Sequence, residues 1–398
     1  MKLLNSIRRI FLIVHDEAID VVHDRGVLIF ILFVPICYPL LYSYVYTNER
    51  LFDVPAVIVD DCNSSLSRQL IRNIDATPDV KIASHCNNME EAKSLVKNHK
   101  AYGIIHIPSW FDKDIWNGEQ TRIGVYCDMS SMLYYKAILL ACTDVTLEMN
   151  NDIKNDFYLK SKTKRDEEVN KMPIQYTYKA MFNTQSGFAS FLIPPVIMLI
   201  FQQTLLLGIG MSMGRTRERN KGHIFPPKPY YHHAFEIVIG KTIFYYSVYI
   251  LMAIYTFEVV NRIFGLPQLG DYWHYTIFVS VFLLACIMLS FVLSVFVYRR
   301  EDCIMLFVFA SVPLLFLSGV SWPTPAMPKF WVYVSYLFPS TFGMNGYVRI
   351  SSMGADLHQI GSEMRGLIWQ TGIYFILSCL LYGNQILKIR RGDNQEKG

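Results

Sequence analysis

Long uncharged runs constrain this chain more than any other feature. No Asp, Glu, Lys or Arg occurs across residues 26–47, 180–214, 272–298, 303–328 or 366–387, and a shorter uncharged run covers 242–257. A helix crossing a hydrocarbon layer ~30 Å thick needs about 20 apolar residues, and all but the shorter run meet that length unaided. The short run reaches it if Lys241 lies at its end, with its long stem carrying the ammonium to the headgroups. The pattern therefore predicts six transmembrane helices, at about 26–46, 187–211, 237–260, 274–298, 303–322 and 367–387. Composition agrees: 52% of the 398 residues are hydrophobic and 18% are charged, against about 25% charged in a soluble globular protein.

The first run reads as a retained anchor. It follows 25 polar-rich residues, and no small-x-small cleavage site comes after Tyr46. In residues 1–25, Ile7, Ile10, Phe11, Val14, Ala18 and Val21 recur at helical spacing opposite the charges. That spacing predicts an amphipathic helix lying along the membrane surface. The stretch HDEAIDVVHD (15–24) offers His15, Glu17, His23 and Asp24 as metal ligands. Histidines eight positions apart on a helix do not readily share one ion, so the amphipathic reading explains the stretch better.

Orientation follows from Lys and Arg in the short connections, which are enriched on the cytoplasmic side. Residues 1–25, 212–235, 299–302 and 388–398 hold 4, 5, 2 and 4 basic residues, whereas 261–273 and 323–366 together hold only Arg262, Lys329, Arg349 and Arg365. Both termini are expected in the cytoplasm, with 388–398 as a tail. The net charge of +4 reflects this asymmetry and gives no reason to expect nucleic acid as a partner. Arg299, Arg300, Glu301 and Asp302 read as a tight turn that serves topology.

Residues 47–186 read as a water-soluble α/β insertion outside the membrane. PAVIVD (55–60), DVKIAS (79–84), AYGIIHI (101–107) and TRIGVYC (121–127) are strand candidates. They alternate with helix candidates at 64–74, 88–98 and 110–118, and such alternation implies βαβ units with at least partly parallel strands. A long polar helix is expected over about 130–170. Cys62 and Cys86 each follow a strand by two residues, so right-handed connections make a disulfide between them geometrically possible; free thiols are the alternative. Cys127 and Cys142 share the insertion, while Cys37, Cys286, Cys303 and Cys379 fall in or beside membrane helices as packing residues.

EIVIGKT (236–242) ends like a phosphate-binding loop, but position 235 is Phe235 where that loop needs glycine, and the following run is too apolar. Gln202, Gln203 and Thr204 lie midway along the second membrane run, where polar side chains are costly in lipid. They are expected either to bond other helices or to line a substrate path. No nucleophile–base set, dinucleotide fingerprint or zinc spacing is present, and no cytoplasmic segment exceeds about 25 residues, too few for a catalytic or signalling domain.

SGVSWPTPAMP (318–328), with Ser318, Gly319, Pro323, Met327 and Pro328, resembles the Ser-Gly, Pro, Met-Pro signature of type-two ABC transporter permeases. YLFPSTFGMNGYVRI (336–350) is similar to the Pro-x-Thr stretch that follows it. MGRTRERNKGHIFPP (213–227) followed by Gly240-Lys241 resembles the family's cytoplasmic loop, although His223 stands where Thr is usual. In the insertion, Val59-Asp60 with Ser65, Ser67 and Arg68, and Ile107-Pro108 with Phe111 and Gly118, match the subclass with a large extracytoplasmic domain.

The resemblance implies an α-helical polytopic membrane protein with six transmembrane helices and an inserted extracytoplasmic α/β domain. By that resemblance it is expected in a bacterial inner membrane as one half of a dimer with a second permease copy or paralogue. By the same resemblance, a separate cytoplasmic ABC ATPase subunit, holding ATP and Mg, is expected to drive export of a drug-like, lipid or other amphipathic substrate, and no cofactor is expected on this chain. A periplasmic adaptor is a further implied partner. Loop 212–235, with Arg217, Glu218, Arg219, Lys221 and Gly222, is expected to couple to the ATPase. The segment 323–366 is expected as an external loop, and Lys241 as a snorkelling anchor at a membrane surface. The rival readings are an ATP-independent channel and a membrane-anchored receptor.

Overall fold

The computed structural model describes residues 2–47, 51–117, 119–129, 132–158, 182, 187–220, 222–226, 228–266 and 268–395, with side chains left aside at 2, 3, 154–158 and 390–395. Lys221, Gly118 and the run KSKTKRDEE (160–168) lie outside it. The chain divides into two compact units, Met1–Thr47 with Met181–Gly398, and Asn48–Ala180.

Helix α1 (Lys2–Val22) occupies the predicted amphipathic segment. It ends because Asp24 takes an extended backbone and its carboxylate accepts the N–H groups of Gly26 and Val27, which start a new helix. That helix, α2 (Arg25–Val45), contains a π-helical turn at Ile29–Phe33 shortly before Pro35.

The inserted unit has strands β1 (Val54–Asp60), β2 (Val80–Cys86), β3 (Gly103–Ile107) and β4 (Gly124–Cys127). They lie in the order β2-β1-β3-β4, with β1 parallel to both neighbours and β4 antiparallel to β3. Between them run α3 (Ser65–Asp75), α4 (Met89–Lys97) and α5 (Phe111–Trp116), and α6 (Met132–Tyr158) follows. The caps come from the expected residue types, with Ser64 accepting from Ser67 N–H and Asn88 from Glu91 N–H. Strand alternation separates two apolar layers. Ala56, Ile58, Ile105 and Ile107 pack with α3 and α6, while Val57, Val59 and Ile104 pack with Ala92 of α4.

This alternation favours the free-thiol alternative for Cys62 and Cys86. Cys62 packs with the α3–α6 layer, whereas Cys86 belongs to the α4 layer. Both are free thiols. Adjacent strand ends are not enough when the side chains leave opposite faces of the sheet.

The helical unit continues with α7 (Phe188–Arg219), α8 (Ala234–Phe264, with a π-helical stretch at Tyr255–Val260), α9 (Tyr272–Ser294) and α10 (Arg300–Leu317). Short helix α11 (Lys329–Ser335), then α12 (Pro339–Met353) and α13 (Gly361–Gln395) complete it. Helix α7 is central, touching α2, α9, α10 and α12.

Among the described residues, five helices are long and apolar enough to cross a membrane: α2, α7, α8, α9 and α13. The sixth predicted span is α10. It has 18 residues, opens on Arg300, Glu301 and Asp302, and stops at Leu317 ahead of Gly319 at φ +87°. At ~1.5 Å per residue, its uncharged part falls short of the hydrocarbon thickness. The expected external loop 323–366 is also largely helical. In α12, Gly343 and Gly346 lie against Phe282 and Phe278 of α9, where an added Cβ would come within 2.4 and 2.3 Å of the rings.

Candidate functional site

Two of the sequence-selected groups lie near the ends of α10: Glu17 and Lys241 in a row of ion pairs that reaches Arg300, and Ser318 with Gly319 just past Leu317. At its Arg300 end, the acids of α1 face basic residues from distant parts of the chain. Glu17 is 3% exposed, and its carboxylate lies 2.6 Å from Lys241 Nζ. Its other oxygen accepts from Tyr245 OH at 2.6 Å and from Ser212 Oγ at 3.3 Å. Lys241 is equally buried, so it does not snorkel outward as its position suggests. A paired and hydrogen-bonded ammonium in an apolar setting is held there by its carboxylate. Gly240 makes this approach possible, because a Cβ there would lie 2.8 Å from Ile13 and 3.2 Å from the Ile10 carbonyl oxygen. The Gly-Lys-Thr tripeptide is therefore interior helix, with Thr242 bonding back to the Val238 carbonyl. It offers no phosphate a row of free N–H groups.

Further pairs extend the row. Arg9 reaches Glu236 at 2.8 Å, Lys228 reaches Asp16 at 2.7 Å and Arg219 reaches Asp20 at 3.8 Å. Asp24 meets both Arg215 (3.2 Å) and Arg300 (3.1 Å), and Arg300 goes on to Glu218 at 3.4 Å. Burial works against the Lys228 charge, yet the bonds to Asp16 and Tyr230 hold its ammonium above the ordinary lysine range. Arg300 thus ties three segments together, beyond the topological role its turn suggests. The acids Asp16, Glu17, Asp20 and Asp24 escape a sequence reading that treats charges on an amphipathic helix as a solvated face. Their recurrence over the last turns of α1 and at its junction with α2 is the available signal.

The expected coupling residues separate. Helix α7 runs on through Arg219, so Arg217, Glu218 and Arg219 are helical rather than part of a loop. Arg217 is only 4% exposed and donates to the carbonyls of Val295 and Val297, both at 2.6 Å, just past the end of α9. Its guanidinium also lies 4.6 Å from the Tyr298 ring centroid. Arg217 closes a helix end inside the protein and presents no charge to a partner. Glu218 and Arg219 are exposed. Gly222, at φ +90°, gives its N–H to the Arg217 carbonyl and turns the chain as α7 ends.

Gln202, Gln203 and Thr204 are buried within the helices. Gln202 Oε1 accepts the Ser340 N–H at 2.6 Å, capping α12 across 138 residues. Thr204 bonds back into its own helix. Gln202 Nε2 and both amide atoms of Gln203 are buried with no hydrogen-bond partner.

At the Leu317 end of α10 lies a cavity of about 520 Å³. Ser318 and Gly319 line it, whereas Pro323 and Pro328 are exposed, Met327 is half-buried, and none of these three lines the cavity. Its wall includes an ion pair the sequence did not single out, Arg349–Glu363 at 2.9 Å.

Several membrane-length apolar helices in one bundle, with an inserted mixed sheet, define a polytopic membrane protein. Residues 25–380 match the family described as ABC-2 family transporter protein, and the chain belongs to that family. Its members are non-catalytic permease components of transport systems that work with an ABC ATPase subunit. A search of curated proteins gives no match.

Proposed function

We propose that this chain is the membrane half of an ATP-driven exporter. It pairs with a second permease and with separate ATPase subunits, which dock on the segment from Glu218 to His233. Both termini and that segment face the cytoplasm, residues 47–186 lie outside, and α10 serves as a sixth, short membrane helix. The observation that carries this reading is the row of ion pairs joining α1, and Asp24 at the junction of α1 and α2, to Arg215, Arg219, Lys228, Lys241 and Arg300. Because α1, α7, α8 and α10 are fastened to one another there, a push on the exposed segment moves them as one body. Closure of the ATPases on ATP supplies the push. The unpaired amide of Gln203 supports a polar path beside α7, since an unsatisfied buried amide costs about 1–3 kcal/mol unless something meets it.

The test exchanges two neighbouring charges, Glu218→Arg with Arg219→Glu. Local net charge is unchanged, so insertion should be normal. Exposed ion pairs are worth about 0–1 kcal/mol, so stability should hardly move. The expected result is a well-folded protein with several-fold weaker transport and weaker stimulation of its partner ATPase. Transport at the unaltered rate would remove this segment from coupling.

A further inference from the structure

We infer that the cavity at the Leu317 end of α10 binds neutral aromatic compounds. Its role as the exit vestibule of the export path rests on the permease reading; binding itself does not. Three observations fix the ligand class. The wall is apolar and aromatic, with Phe191, Leu317, Val320, Tyr336, Phe342 and Met353, and the Tyr336 and Phe342 rings are stacked 5.4 Å apart. Its polar groups are already engaged with one another. Ser318 donates to the Leu315 carbonyl, Ser335 to that of Val332, and Thr341 to that of Ser335. The Asn345 amide gives its hydrogens to the Ser318 and Thr341 carbonyls, and Ser362 donates to Glu363. The charges in the wall also cancel, because Arg349 is held by Glu363 and by the Gln359 carbonyl.

A charged ligand would have to break that ion pair, and a strongly polar one would find few free donors. An uncharged ring system loses little on entry and gains offset stacking on the aromatic wall. The volume of about 520 Å³ falls within the ~300–1,000 Å³ typical of small-molecule sites. Gly319 shapes the mouth: at φ +87°, a Cβ there would lie 2.5 Å from Thr324 Oγ1.

The test uses the full chain in phosphatidylcholine nanodiscs, without ATPase or nucleotide, and 3-trifluoromethyl-3-phenyldiazirine as the photoreactive probe. Labelled residues are mapped by mass spectrometry. Labelling within 336–353 should saturate and fall at least ten-fold with excess non-photoreactive phenyl analogue. Phe309, 77% exposed on α10, should label without saturation and serve as the internal standard. Val348→Trp fills the cavity from α12, and Thr324→Trp blocks it from an exposed stretch, so misfolding of one variant leaves the other. Each should abolish the saturable component. Labelling of 336–353 that rises linearly like Phe309, or that survives both substitutions, overturns the inference. Saturable labelling combined with unaltered transport after the Glu218/Arg219 exchange would sink the coupling role alone.

Discussion

Glu17 and Lys241 show how one buried pair fixes a whole helix. Neither side chain is more than 4% exposed, so each depends on the other for its charge to be tolerable. Lys241→Ala leaves the Glu17 carboxylate with only Tyr245 and Ser212 as donors, and breaking a buried pair costs about 3–5 kcal/mol. Thermal unfolding in detergent should show that loss, with no change in nucleotide binding. The double change Glu17→Gln with Lys241→Met removes both charges while keeping volume and the Tyr245 bond. Such replacements are often neutral, so the double variant should unfold close to the parent temperature. A double variant as unstable as Lys241→Ala would show that the pair is not what secures α1.

At the scale of elements, legibility depended on how local the signal was. Strands β1 to β4 and the helices between them were readable because alternation and helical periodicity act over a few residues. The membrane runs were readable for the same reason, apart from α10, where the apolar run passes through the Gly319 turn without a break in composition. What could not be read was pairing between distant elements: the burial of Arg217 against the carbonyls beyond α9, the reach of Gln202 to Ser340, and the acids of α1. Cys62 and Cys86 show a related limit, since strand adjacency is legible but the sequence does not show that β2 runs on to Cys86 nor which layer each side chain joins. Their separation predicts that alkylation and mass mapping of the non-reduced protein will find both as free thiols. Cys142 should differ from the half-buried Cys62. Burial, with Cys127 adding to it, pushes its thiol up to about 12. A raised pKa leaves little thiolate at neutral pH, so Cys142 should alkylate only after unfolding. A Cys62–Cys86 linked peptide would overturn the two-layer assignment.

At the scale of the whole molecule, the proposal depends on which way the bundle faces. The basic excess around 1–25, 212–235 and 299–302 and the ion-paired row of α1 fall at one end of the helices. Orientation is set by Lys and Arg near the span ends, with acids contributing little. The neutralising acids of α1 therefore do not weaken the expectation that this end is cytoplasmic. An ATPase confined to the cytoplasm can push on Glu218 and Arg219 only from that side, so topology and coupling stand or fall together. In a background with the eight native cysteines replaced, Lys100→Cys and His223→Cys place single thiols at two sites, and His223 is exposed. A membrane-impermeant maleimide added to intact cells should label the Lys100 position and spare the His223 position until the membrane is opened. The reverse pattern would put the ion-paired end outside, beyond reach of any cytoplasmic ATPase, and the exporter reading would fail with it.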